Sequence, residues 1–109
     1  MELDPGVFVS KTSTDEWEFD PEVNGDLHML ASADGVDAGM SRFVGVPDQP
    51  VDYTPPKRET LLVLEGSARI ELDGGPTLEL TVGDMASIPG GTKTTWHITT
   101  PFKEFWVIA

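Results

Sequence analysis

The sequence predicts an all-β protein, a single antiparallel barrel with little or no helix. Three observations carry this. The apolar runs are short, rich in Leu, Val, Ile and Thr, and several alternate with polar residues at a period of two. Turn signals recur at close spacing, at Asn24-Gly25, Glu65-Gly66, Asp73-Gly74-Gly75-Pro76, Val82-Gly83-Asp84 and Pro89-Gly90-Gly91. No window of helical length keeps a 3.6-residue period without a glycine or proline interrupting it. About ten short strands in one chain are most economically closed into a barrel.

With 109 residues the chain fits one domain spanning 1–109, with residues 1–15 as a candidate N-terminal arm. Such a length buries roughly two thirds of the surface of the unfolded chain, so no covalent or metal staple is needed. There is no cysteine, which excludes disulfides, thiolate metal sites and cysteine nucleophiles. Seven basic against nineteen acidic residues give a net charge of −12. That surface repels phosphate backbones and anionic lipid, excluding nucleic acid and membranes as expected partners. No apolar run approaches the ~20 residues of a membrane span. MELDPGVFVS at the start has neither the basic region nor the apolar core of a signal peptide. A soluble, cytoplasmic protein is expected.

In chain order, Met1 to Gly6 reads as a loose arm and Val7-Phe8-Val9 as a short edge strand. Trp17 and Phe19 give a brief alternation before the turn at DPEVNG. Leu27 to Ala33 and Met40 to Val46 read as a strand pair around Asp34-Gly35-Val36-Asp37. Alternation puts Met40, Arg42, Val44 and Val46 on one face, with Ser41, Phe43 and Gly45 on the other. Residues 46–50 (VPDQP) form a loop, Val51 to Thr54 an extended approach, and Pro55-Pro56 a stiff link. From Arg58 the register is clearer. Glu59, Leu61 and Val63 share a face opposite Thr60, Leu62 and Leu64, which predicts a central strand covered on both sides. A turn at Glu65-Gly66 then leads to Ala68, Ile70 and Leu72 alternating with Arg69, Glu71 and Asp73. Strands at Leu78 and Leu80, at Ala86 and Ile88, at Thr94, Trp96 and Ile98, and from Phe102 to Ile108 complete the sheet.

Two spaced patterns then narrow the class. Glu59 and Gly66 match the E-x6-G half of a motif written G-x5-H-x-H-x(3,4)-E-x6-G. Gly83, Pro89 and Gly91 match a second motif, G-x5-P-x-G-x2-H-x3-N, at the proper spacing. In these residues the chain resembles a single-domain cupin, a small jelly-roll β-barrel. Trp96-His97-Ile98 after the proline-glycine turn and the closing FKEFW strand are similar to the ureidoglycine aminohydrolase and ethanolamine-utilisation cupins. The motif-level resemblance runs from about Tyr53 to the C-terminus. The resemblance also implies where a metal would sit, and there the chain departs. Asp52, Tyr53, Thr54 and Pro55 fill the window of the first two histidines, and Thr94 fills the third position. Of the four usual ligands only Glu59 remains.

The chain has two histidines, His28 and His97, fewer than a first-row cation site ordinarily uses. Metal and cofactor are therefore not expected. A divalent ion at Glu59, with Tyr53, Asp52 and His28, is the remaining alternative, as in a metal-dependent hydrolase with a degenerate site. Glu59 has apolar strand neighbours, so an inward carboxyl would be desolvated and its pKa raised, as suits a general acid or base. The competing reading pairs Glu59 with Arg42, Lys57, Arg58 or Lys103 in a structural ion pair. Arg42 interrupts an apolar face, and either binds a substrate carboxylate or bridges to Glu59. Tyr53, Thr94, Trp96 and Lys103 complete the candidate substrate-binding set. Tyr53 lies at the barrel mouth, Thr94 and Trp96 point into the barrel, and Lys103 is placed to hold an anionic group. Two functions follow. One is a small-molecule enzyme or binder acting on a small polar or carboxylated metabolite. The other is a non-catalytic accessory module with a side-chain-filled barrel. A homodimer is expected in either case.

Overall fold

The computed structural model describes residues 1–45 and 50–109. The expectations for residues 46–49, including Val46 on the Met40 face, lie outside the described residues. Among the described residues there are ten strands: β1 (Glu2–Asp4), β2 (Val7–Phe8), β3 (Glu18–Asp20), β4 (Gly25–Ala33), β5 (Val36–Phe43), β6 (Val51–Tyr53), β7 (Glu59–Leu72), β8 (Thr77–Thr81), β9 (Met85–Ile88) and β10 (Thr94–Ile108). Eight of them form one antiparallel sheet ordered β3-β4-β5-β10-β7-β8, with β6 added to β10 and β9 to β7. The all-β jelly-roll expectation holds.

Two long strands organise the barrel. The C-terminal half of β10 lies between β5 and the first half of β7, while its N-terminal half pairs with the second half of β7 and with β6. Glu65-Gly66 is therefore not a turn, because β7 runs straight through it. The Thr94–Ile98 and Phe102–Ile108 segments are likewise one strand, whose ladder is irregular between Thr99 and Lys103 and which contains the cis Thr100-Pro101 bond. Gly66 sits opposite this irregularity at φ +74°. A Cβ there would overlap the Pro101 carbonyl oxygen and lie 2.7 Å from that of Thr99. The glycine that the motif demands is required by this close approach of two backbones.

The β4–β5 hairpin is tighter than its sequence suggested. Asp34 and Gly35 alone form the turn, both at positive φ (56° and 77°), as a two-residue hairpin loop of matching twist requires. Val36 and Asp37 belong to β5. The first residues are not a loose arm either, because β1 and β2 pair as a two-stranded hairpin. The chain after it lies along the outer face of the main sheet. There the His28 ring bonds Ser10 Oγ and the Glu16 carbonyl, each at 2.7 Å, and Lys103 Nζ donates to the Thr12 carbonyl at 2.9 Å.

The core fills the inner face. Leu61, Val63, Ala68, Ile70, Trp96, Phe102, Trp106 and Ile108 pack with Phe43, and each Leu, Ile or Val so buried contributes about 1.5–3 kcal/mol. Phe102 meets Trp96 nearly edge-on, with centroids 6.4 Å apart. The alternation read for β7 is correct for the inner residues Glu59, Leu61 and Val63. Its outer face is less covered than expected, since Leu62 and Leu64 are half-buried and the neighbouring Met85 is 76% exposed.

Candidate functional site

The inner faces of β5, β7 and β10 do not close completely, and they leave a cavity of about 180 Å³. Its wall is apolar over most of its extent: Val23, Leu27, Phe43, Val51, Trp96, Ile98, Trp106 and Ile108. Register explains the polar groups that share it. On β10, Phe102, Glu104, Trp106 and Ile108 point inward, and they face Val63, Leu61 and Glu59 of β7 in antiparallel order. The ladder places Ile108 opposite Glu59 and Val63 opposite Glu104. Two carboxyl groups thus enter one cavity from adjacent strands.

Both are buried, Glu59 with 4% and Glu104 with 5% of its surface exposed. Each has a buried oxygen, Glu59 Oε1 and Glu104 Oε2, with no hydrogen-bond partner among the described residues. Desolvation raises the Glu59 pKa from 4.5 to about 7. The Glu104 carboxyl is held well above its ordinary value by burial first and by the charge of Glu59 second. Tyr53, at the cavity edge, is pushed up to about 12 by burial and then by Glu59, with Glu22, Asp20 and Glu104 adding to the effect. Half-buried Asp20 and exposed Glu22 also line the opening. Among the described lining residues there is no lysine, arginine or histidine.

The expected residues therefore divide. Glu59, Tyr53 and Trp96 meet in the cavity. Thr94 stands just behind its wall. The Thr94 hydroxyl donates to the Tyr53 carbonyl at 2.6 Å and accepts from Trp96 Nε1 at 2.9 Å, which fixes the indole. Arg42 and Lys103 are elsewhere. Alternation sends Arg42 to the outer face, where its Nε bonds Asp26 at 2.9 Å and its guanidinium lies 4.4 Å from the Trp17 ring centroid. Lys103, between inward Phe102 and Glu104, points outward to Glu65 at 3.1 Å. Neither forms the structural ion pair considered for Glu59. Lys57 and Arg58 do not form it either, as they donate to the Gly35 carbonyl and to Ser87 Oγ. The sequence reading missed Glu104. Its signal was present, since it is the one acid on the Phe102, Trp106, Ile108 face of the closing strand.

The chain's similarity to known proteins can now be set beside this geometry. Residues 47–105, more than half of the chain, match the EutQ-like cupin domain family. The chain belongs to that family. Solved structures agree with it on fold. A putative ethanolamine utilization protein Q from Salmonella typhimurium superposes with a TM-score of 0.78 at 21% identity, over 99% of this chain and 89% of that one. The EutQ protein of Clostridium difficile gives 0.62 at 20% identity, over 81% and 64% of the two chains. An Fe(II)-HppE bound to (S)-1-HPP gives 0.73 at 16% identity, over 99% of this chain and 63% of that one. No curated protein sequence matches the chain significantly.

Cupins commonly carry a metal, and the donors of this cupin do not fit one. Among the described residues no group of three or more His, Cys, Asp or Glu side chains converges on a point. His28 is on the outer face, and His97 points outward to Glu71 Oε1 at 2.6 Å. Asp52 is exposed and accepts from Thr95 Oγ1 at 3.0 Å. Where histidines would stand, Tyr53 and Thr94 pair across β6 and β10 and bond to one another. Among the described residues no helix is long and apolar enough to cross a membrane.

Proposed function

We propose that this cupin domain binds a small polar metabolite in its barrel cavity, with Glu59 as anchor or general base. The observation that carries this is the pair of buried, unpartnered carboxyl oxygens on the wall of an open cavity. A buried polar atom without a partner costs about 1–3 kcal/mol, more when charged. A ligand or water that bonds it recovers that cost. A folded-state pKa of about 7 also gives Glu59 comparable populations of acid and base at neutral pH, as proton transfer needs. The accessory-module alternative required a barrel filled by side chains, and the cavity speaks against it. A carboxylated metabolite is disfavoured as well, because the two cations expected to orient it, Arg42 and Lys103, face outward.

The test is ligand-dependent melting across a panel of small metabolites. A true ligand at a hundred times its Kd should add about 2.7 kcal/mol of stability. That corresponds to a rise on the order of 10 °C for a domain of this size. Glu59→Ala should abolish the rise. A rise of unchanged size in that variant would show that the ligand binds elsewhere.

A further inference from the structure

The class of ligand is written in the charge of the cavity. Four acids, Asp20, Glu22, Glu59 and Glu104, line it together with Tyr53, and no described lining residue is basic. We propose that the cavity selects a small primary ammonium compound, its charge held by Glu59 and Glu104 and its carbon body by the indoles of Trp96 and Trp106. This rests on the reading of the cavity as a ligand site and gives that site its substrate class.

Alternative ligands fit less well. An anion would enter among four acids with no counter-charge, and in a partly desolvated site like charges a few ångströms apart repel by several kcal/mol. A divalent cation wants three or more protein donors, usually with water, in a defined polyhedron. The wall offers two buried carboxyls, and no cluster of three metal-binding side chains exists among the described residues. A neutral alcohol could hydrogen-bond the carboxyls but would leave the field of the acids unused.

An ammonium group brings three N–H donors to the unpartnered acceptors Glu59 Oε1 and Glu104 Oε2. The electron-rich faces of two tryptophans suit both a cation and its methylene chain. The volume, about 180 Å³, is below the ~300–1,000 Å³ of drug-sized pockets and limits the ligand to a few carbons. A net charge of −12 raises the local concentration of cations around the whole molecule.

Charge balance gives the site a pH signature. In the complex Glu59 is ionised against the ammonium, while burial favours the protonated form of Glu104. Below pH 7 Glu59 must give up a proton to bind. The groups facing it are Glu104 from β10, Tyr53 from β6, Asp20 from β3 and Glu22 from the turn before β4, all acidic or neutral. None of them lowers its proton affinity. Affinity for the ammonium should therefore fall by up to about tenfold per pH unit below about 7.

The experiment uses the indole N–H signals of the full chain, titrated with n-propylammonium, n-propanol and propionate. Trp96 and Trp106 line the cavity, whereas Trp17 sits outside under Arg42 and serves as an internal control. The expected result is saturable shifts of Trp96 and Trp106 with propylammonium alone, weakening about eightfold from pH 7.5 to 6 and at least tenfold in Glu59→Gln and Glu104→Gln. Glu71→Gln, an exposed acid outside the cavity, should bind as the parent does. Equal binding of propanol, tighter binding of propionate, or stoichiometric Mn²⁺ binding that displaces the amine would each overturn the ammonium assignment while leaving a ligand site in place. No saturable shift with any probe, with the cavity variants indistinguishable from the parent, would overturn the site reading itself.

Discussion

Glu59→Gln should melt higher than the parent protein at pH 8.5, by on the order of 10 °C, with the two curves converging at pH 4.5. Burial raises the Glu59 pKa in the folded chain to about 7, against 4.5 for the unpaired group. The folded state thus holds the proton more tightly than the unfolded state. Its stability is full below the unfolded pKa and is lost as pH rises through about 7. The difference of about 2.5 units amounts to roughly 3 kcal/mol at alkaline pH, or about 4 °C per kcal/mol in a domain of this length. Glutamine has the volume of the protonated acid and never ionises, so it removes that loss. Glu104→Gln should act in the same direction, because burial and Glu59 both raise its pKa. A carboxylate in a structural ion pair would behave in the opposite way, with the amide variant less stable at alkaline pH. The sign of the change at pH 8.5 therefore separates a site acid from a structural one. The stability surrendered is the cost of burying two unpaired acids in the fold.

Gly66→Ala should cost on the order of 4 kcal/mol or more and leave little folded protein at 37 °C. Two effects add. The left-handed conformation at φ +74° carries roughly 1–2 kcal/mol for any residue with a Cβ. That Cβ would also overlap the backbone carbonyls of Pro101 and Thr99 on β10, which cannot move aside as a flexible side chain can. Relief would need β7 and β10 to part at their shared irregularity, next to Phe102, which is 1% exposed and central to the core. Urea denaturation gives the value directly. A loss under 1 kcal/mol would mean that the close approach of the two strands is not what requires the glycine.

The sequence was most legible where one residue type has one physical use. Period-two alternation put Glu59, Leu61 and Val63 on one shared face of the strand, and the register agrees. The spaced glycines and proline identified the barrel before any coordinates. Continuity was less legible. Glu65-Gly66 and Pro101 resemble strand ends because such residues usually are, yet here they face each other as a paired irregularity within two long strands. Pairing across some thirty-five residues leaves no local trace in either segment. Arg42 and Lys103 were assigned to the pocket for their charge, and alternation would have corrected both, since each neighbours residues that point inward. Glu104 was passed over for a similar reason. In FKEFW the lysine drew attention, while the acid two residues from each aromatic neighbour on its face is the group that enters the cavity.

The central claim, that Glu59 and Glu104 are unpaired acids sharing one cavity, is tested most directly by following the carboxyl ¹³C shifts of the glutamates through a pH titration of the ligand-free protein. Two glutamates should stand apart from the rest. Glu59 should have a midpoint near 7 and Glu104 one well above the ordinary range, and replacing Glu59 with glutamine should lower the midpoint of Glu104. If every glutamate titrates between about pH 4 and 5, the ordinary range for exposed groups, the account of this cavity is contradicted.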